Sequence, residues 1–150
     1  MKTRIVIQNE PFDLAREVDA LSPGAGAVAT FTGHVRAGDG LTSLALEHYP
    51  GMTERSIGRI VDEARTRWKI IDALVIHRVG ELKAADQIVL VVVTGSHRQD
   101  AFAACEFIMD YLKTQAPFWK KEQTPQGARW VEARAADDQA VERWSQSQPK

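Results

Sequence analysis

The chain has 150 residues, 44% of them hydrophobic and 26% charged, which suits one domain with a buried core. Its formal net charge of −1 supplies no global basic field for nucleic acid or an anionic membrane, so any anion site must be a local cluster. The single cysteine, Cys105, excludes an internal disulfide and a multi-cysteine metal site, and the longest apolar run, 88–93, is too short to span a bilayer. With no secretory pattern expected in the opening residues, these features point to a reduced, cytoplasmic protein.

Residues 3–8 alternate around Ile5 and Ile7 and predict a first strand, followed by a short helix over 13–20. Pro23, Gly24 and Gly26 mark a loop. A small apolar strand is predicted over 27–32 and ended by Gly33. Residues 34–40, HVRAGDG, read as a glycine-rich polar loop, and 44–49 as an alternating strand. Thr53 is placed to cap a helix whose apolar positions Ile57, Ile60, Val61, Ala64 and Trp68 keep one face. Glu54 in its first turn suits the dipole. Residues 73–77 predict a strand, 80–86 a connection, and 87–94, QIVLVVVT, a fully buried strand by β-branched density.

Ser96, with Gln99 three residues on, fits a capping box opening the longest helix. Phe102, Cys105, Ile108, Met109 and Leu112 are its expected buried face, and Pro117 closes it. Residues 129–134 predict a last strand, 137–144 a terminal helix and 145–150 a frayed polar tail. Strands and helices mix without strict βαβ alternation, so the fold class is α+β.

The stretch FIMDYLKTQAPFWKKE, 107–122, sets Lys113, Lys120 and Lys121 around the proline, with Phe118 and Trp119 between them. Crowded cations and apolar walls both disfavour charged lysine. A lysine so tuned can exchange protons or attack an electrophile near neutral pH. The plainer alternative is a helix C-terminus whose lysines complement the dipole. Ser96, His97 and Arg98 sit where a buried strand meets a helix N-terminus, a position that favours an anion. Cations there oppose the dipole unless an anion compensates, and arginine grips phosphate in bidentate fashion. The loop TGHVRAGDG adds Arg36 on a backbone a ligand can approach closely, or is simply a turn. It lacks both the GxGxxG and the Walker pattern. His48 and His77 have no partners at metal-ligand spacing and read as structural. Cys105 reads as a small buried hydrophobe, and Trp68, Trp130 and Trp144 as core or interface anchors. Glu122 is placed either to orient a lysine or to form a weak surface ion pair.

The stretches TFTGHVR, LALEHYPGMTE, IVDEARTRW, VIHRVGEL, the HR of VTGSHR, FIMDYLKTQAPFWKKE and RWVEAR follow one another from Val28 to Arg134. In that order they resemble the large, catalytic subunit of molybdopterin synthase, PFWKKE after YLKT and HRVGEL being the specific matches. The resemblance implies an α/β-hammerhead-like domain with an added antiparallel β subdomain, spanning 1–150 as one domain. It implies a sulfurtransferase that converts cyclic pyranopterin monophosphate (precursor Z) to the molybdopterin dithiolene in molybdenum cofactor biosynthesis. The implied partner is a small ubiquitin-like sulfur carrier whose C-terminal Gly-Gly ends in a thiocarboxylate. A homodimer with one carrier at each end makes a heterotetramer, and no metal or organic cofactor is implied.

Carried across residue by residue, the resemblance gives Lys113 and Lys120 catalytic roles. It places them in contact with substrate together with His34, Val35, Arg36, His97, Arg98, Lys121, Glu122 and Arg134. Family sites lie near the dimer contact, so the two basic clusters can come from different protomers. The sequence departs from the family in two places. AGDGLTS after Arg36 is shorter than in close relatives, and His34 stands where relatives often have lysine, which makes any charge there pH dependent. The rival readings are a non-catalytic dimeric module that binds a phosphorylated small molecule or a partner's tail, and a lysine Schiff-base enzyme.

Overall fold

In the computed structural model, residues 2–21, 24–36, 43–125, 127–131 and 135–146 are described. Arg134, most of the AGDGLTS loop and residues 147–150 of the expected tail lie outside them. In chain order the elements are β1 (Lys2–Gln8), α1 (Leu14–Asp19), β2 (Ala27–His34), β3 (Ser43–His48), α2 (Met52–Arg67), β4 (Ile70–Arg78), β5 (Gly80–Lys83), β6 (Gln87–Gly95), α3 (Arg98–Gln115), β7 (Phe118–Thr124), β8 (Gly127–Val131) and α4 (Ala135–Gln146). One sheet has the order β1-β4-β6-β2, with β1 parallel to β4 and the other pairs antiparallel. The second, β5-β3-β7-β8, is antiparallel throughout. This is the expected α+β class with an added antiparallel sheet.

β4 and β6 are buried on both faces, as their β-branched density requires. Ala73, Val75, Val89, Val91 and Val93 pack against α2 and α3, whereas Leu74, Ile76, Leu90 and Val92 meet Phe12 on the other face. A third cluster of Val35, Leu44, Leu46 and Leu82 lies under the second sheet.

Helix boundaries depart from the sequence expectation in instructive ways. Thr53 does not cap α2. Gly51, at φ 83°, holds that position, and the Glu54 carboxylate accepts its N–H at 3.0 Å. Thr53 is fully buried; its hydroxyl accepts from the Tyr49 N–H at 3.1 Å and donates to the Pro117 carbonyl at 3.2 Å. That bond ties the start of α2 to the turn after α3. Ser96 likewise forms no capping box: His97 is the cap residue of α3, and it makes no side-chain cap bond. Phe102, expected inside, is 66% exposed, because the buried stripe of α3 runs through Ala101, Ala104, Cys105, Phe107, Ile108, Met109 and Leu112. Extended Ala116 ends the helix before Pro117, whose ring disfavours a helical neighbour.

Two strands are additions. β5 occupies part of the expected connection, and β7 follows Pro117 directly. β2 runs through Gly33 to His34 with a register shift between them. Trp144 of α4 packs edge-on against Trp68 at 5.4 Å and Phe107 at 5.5 Å. Its indole N–H donates to Asp110 at 2.6 Å, and Arg67 donates to its carbonyl at 3.0 Å. Trp68 and Trp144 are thus core anchors, and Ser145 and Gln146 belong to α4 rather than to a frayed tail. Trp130, at 55% exposure, is outside this chain's core.

Candidate functional site

A cavity of about 320 Å³ opens where the end of β2, the end of β4, the start of β6 and the last turns of α3 meet. Phe31, Val89, Met109 and Leu112 give it apolar walls, and His34, Arg36, His77 and Lys113 line it with polar groups. Among the described residues the lining holds no carboxylate. Gly33 permits this geometry: a Cβ there would meet Val89 Cγ1 at 2.8 Å.

His34 is exposed at the mouth, with Nδ1 3.4 Å from the Ala85 carbonyl and Nε2 3.4 Å from the Thr32 hydroxyl. Val35 turns its side chain into the core at 3% exposure. Its N–H donates to the Asp86 carbonyl and its carbonyl accepts the Ala85 N–H, both at 2.9 Å. Val35 therefore anchors its neighbours rather than facing the cavity. Arg36 and Lys113 are exposed at the rim.

β7 alternates, so Phe118, Lys120 and Glu122 point to one side and Trp119 and Lys121 to the other. On the first side Phe118 stacks on His77, with centroids 3.8 Å apart and planes at 18°. On the second side the Lys121 ammonium lies 5.6 Å from the Trp130 ring centroid, and Trp119 meets Tyr49 edge-on at 4.4 Å. Lys121 is thus separated by the sheet from Lys120.

The His77 imidazole has a depressed pKa. Burial, first, and then the positive charges of Lys113, His48 and Lys120 lower it to about 4, against an opposing hydrogen bond to the Arg78 carbonyl. Lys113 and Lys120 thus both lie close enough to His77 for their charges to act on its ring. His77, read from the sequence as a structural histidine, lies on the Ala73 and Val75 side of β4 that faces α3, and it lines the cavity.

His97 and Arg98 lie elsewhere in the chain. α3 has 18 residues, so its ends are about 27 Å apart at 1.5 Å per residue. One end carries His97 and Arg98, the other Lys113. β2 spans the same interval: Ala27 pairs with Gly95 beside the first cluster, and His34 pairs with Gln87 beside the cavity. Cys105 is buried, its thiol 4.0 Å from the Val91 carbonyl, and burial pushes its pKa up to about 11. It packs as the small buried hydrophobe that the sequence suggests.

Among the described residues the cavity is lined by basic groups and no carboxylate, an arrangement on this α+β fold that suits an anionic ligand. The family model described as MoaE protein matches residues 7–115, and the chain belongs to that family. It is 60% identical over 146 residues to the molybdopterin synthase catalytic subunit of Ralstonia nicotianae, covering 93% of this chain and 83% of that relative. It is 55% identical over 148 residues to the molybdopterin synthase catalytic subunit of Escherichia coli, covering 95% of this chain and 99% of the relative. The solved molybdopterin biosynthesis MoaE protein from Burkholderia ambifaria superposes with a TM-score of 0.83 at 55% identity, over 97% of this chain and 99% of that one. No helix among the described residues is long and apolar enough to cross a membrane.

Proposed function

We propose that this chain is the catalytic subunit of a molybdopterin synthase. It transfers sulfur from the C-terminal thiocarboxylate of a small ubiquitin-like carrier to cyclic pyranopterin monophosphate, making the dithiolene of molybdopterin. The observation that carries this reading is the cavity at the end of α3, where Arg36 and Lys113 stand near Lys120 and no carboxylate intrudes among the described residues. Donor and acceptor are both anions, and fixed cations offset the cost of bringing them together. The whole chain acts as one unit in the cytoplasm, with the carrier as its partner subunit.

The remaining cations, His97 and Arg98, reach the cavity through dimerisation. β1 exposes a charged edge, with Lys2 and Arg4, and Arg65 caps its Lys2 carbonyl at 2.5 Å. β2, the opposite edge, reads AVATFTGH and exposes Val28 at 48% and Phe31 at 41%. A long uncharged edge invites another strand. Antiparallel pairing of two β2 strands about a twofold axis lays the start of one against the end of the other. Each cavity then receives His97 and Arg98 from the partner protomer. Two such cavities, each taking one carrier terminus, make the heterotetramer.

In this arrangement Arg36, His97 and Arg98 hold the phosphate and pterin. The thiocarboxylate sulfur attacks a side-chain carbon of the pterin; a C–S bond forms as the C–O bond at that carbon breaks, the oxygen leaving as water or on the phosphate, with Lys113 or Lys120 supplying its proton. Water then adds to the carrier's acyl carbon and the acyl C–S bond breaks, which leaves the sulfur on the pterin and releases the carrier carboxylate, and a second carrier brings the second sulfur. Dithiolene formation from thiocarboxylated carrier, measured for Lys113→Ala and Lys120→Ala, tests the reading. Activity near wild type in both variants discards it.

A further inference from the structure

We infer that His77 is a substrate-recognising residue of this site: an uncharged hydrogen-bond acceptor among cations, taking an N–H donor from the heterocyclic rim of the bound pterin. The inference rests on the sulfur-transfer reading above. His77 closes β4 on the face turned toward α3 and lines the cavity together with Arg36 and Lys113. The parallel stack on Phe118 fixes its ring plane. Its Nδ1 lies 2.8 Å from the Arg78 carbonyl. A carbonyl only accepts, so Nδ1 carries the proton and Nε2 is left with a lone pair.

No described residue bonds Nε2. Among the described residues no solvent-excluded side-chain nitrogen or oxygen lacks a partner, so Nε2 is reached from the cavity. The titratable and charged groups around the ring are Lys113 from α3, Lys120 from β7, His48 from β3, and His34 and Arg36 across the cavity. Among the described residues none is acidic, and together with burial they keep the imidazole neutral at working pH. Phosphate and thiocarboxylate offer acceptors, which the cations satisfy. The Nε2 lone pair has no use for either and matches a ring N–H. A site built to receive such a donor discriminates against analogues lacking it.

The test measures KM and kcat for the pterin in the reconstituted wild-type enzyme with thiocarboxylated carrier, and in His77→Phe, His77→Gln and Phe118→Leu, alongside thermal melting. His77→Phe retains the stack and removes the acceptor; KM rises about tenfold while kcat stays within about twofold. His77→Gln, whose amide oxygen can accept, recovers most of the loss. In Phe118→Leu the hydrated imidazole gains a proton as pH falls from about 8 to 6, so the ratio of its KM to that of wild type rises, every other titrating group being common to the two enzymes. A His77→Phe enzyme that melts like wild type with an unchanged KM overturns the inference. Equal impairment of the Phe and Gln variants also overturns it, as does a Phe118→Leu pH profile parallel to that of wild type should His77→Phe fail to fold. Absence of dithiolene formation by wild type counts instead against the sulfur-transfer reading, a result distinct from an active wild type indifferent to His77.

Discussion

His97 and Lys113 stand at opposite ends of α3, about 24 Å apart along its axis. A rigid helix holds them apart, so no side-chain rearrangement within one chain brings both to one substrate. β2 lies alongside with its two ends at the same two places. In the twofold dimer proposed above, that separation assigns the two clusters of one protomer to two different sites.

If β2 pairs with its own copy, like charges near the twofold axis weaken the dimer. Thr30 lies mid-strand and is exposed. Thr30→Asp raises the dimer dissociation constant at least about tenfold, since like charges set opposite one another across a strand pair repel. Sedimentation velocity over a concentration series reads this. A dimer as tight as wild type places the contact elsewhere.

The basic side chains divide into two kinetic classes. Lys113→Ala and Lys120→Ala lower kcat by about 10²-fold, the loss typical of one preorganised charge at the reacting atoms. Arg98→Ala chiefly raises the KM for the pterin, by about ten- to a hundredfold for one charge-assisted bond. Steady-state kinetics on the three variants separates these effects.

His77 also writes a pH dependence into stability. Its folded pKa of about 4 lies below the ordinary 6.5, so the unfolded chain takes up the proton first as pH falls. The contribution is complete above about 6.5 and is lost progressively toward 4, on the order of 2 kcal/mol in this partly buried site. Urea midpoints at pH 7.5, 5.5 and 4.5 measure it; the wild-type midpoint falls more steeply than that of His77→Gln.

Cys105 resists alkylation. Buried, with its pKa raised to about 11 by burial first and Glu106 second, it holds little thiolate at pH 8. Iodoacetamide labels the native chain at least about a hundredfold more slowly than the urea-unfolded chain. Equal rates show an accessible thiol.

The buried strands and α2 were legible because period-2 and period-3.6 burial leaves a local pattern that Val91, Ile57 or Ala64 obeys. α3 was legible as a helix but not in its phase. Phe102 outweighs Ala101 and Ala104 on any hydrophobicity count, yet the alanines are what let α3 lie close to the sheet. β7 was hidden because its lysines are poor strand formers; the pairing partner β3 supplies the order from a distant part of the chain. That Lys113 and Lys120 lie close to one another was suggested by their segment. Their approach to His77 was not, since Lys113 reaches it from α3 and Phe118 and Lys120 from β7, two later parts of the chain that only folding brings to it. The distance between His97 and Lys113 was legible all along, as the length of one helix.

The most direct measurement is complementation between impaired chains, assayed at pterin concentrations well below the wild-type KM, where a KM defect and a kcat defect both lower the rate. Lys113→Ala and Arg98→Ala proteins are unfolded together, refolded as a mixture with carrier, and assayed for dithiolene formation. If the two clusters meet across the dimer, each mixed dimer holds one intact site, and random pairing restores about a quarter of wild-type activity. If both clusters serve a site within one chain, every site lacks a member, and activity no higher than that of either variant alone contradicts the account.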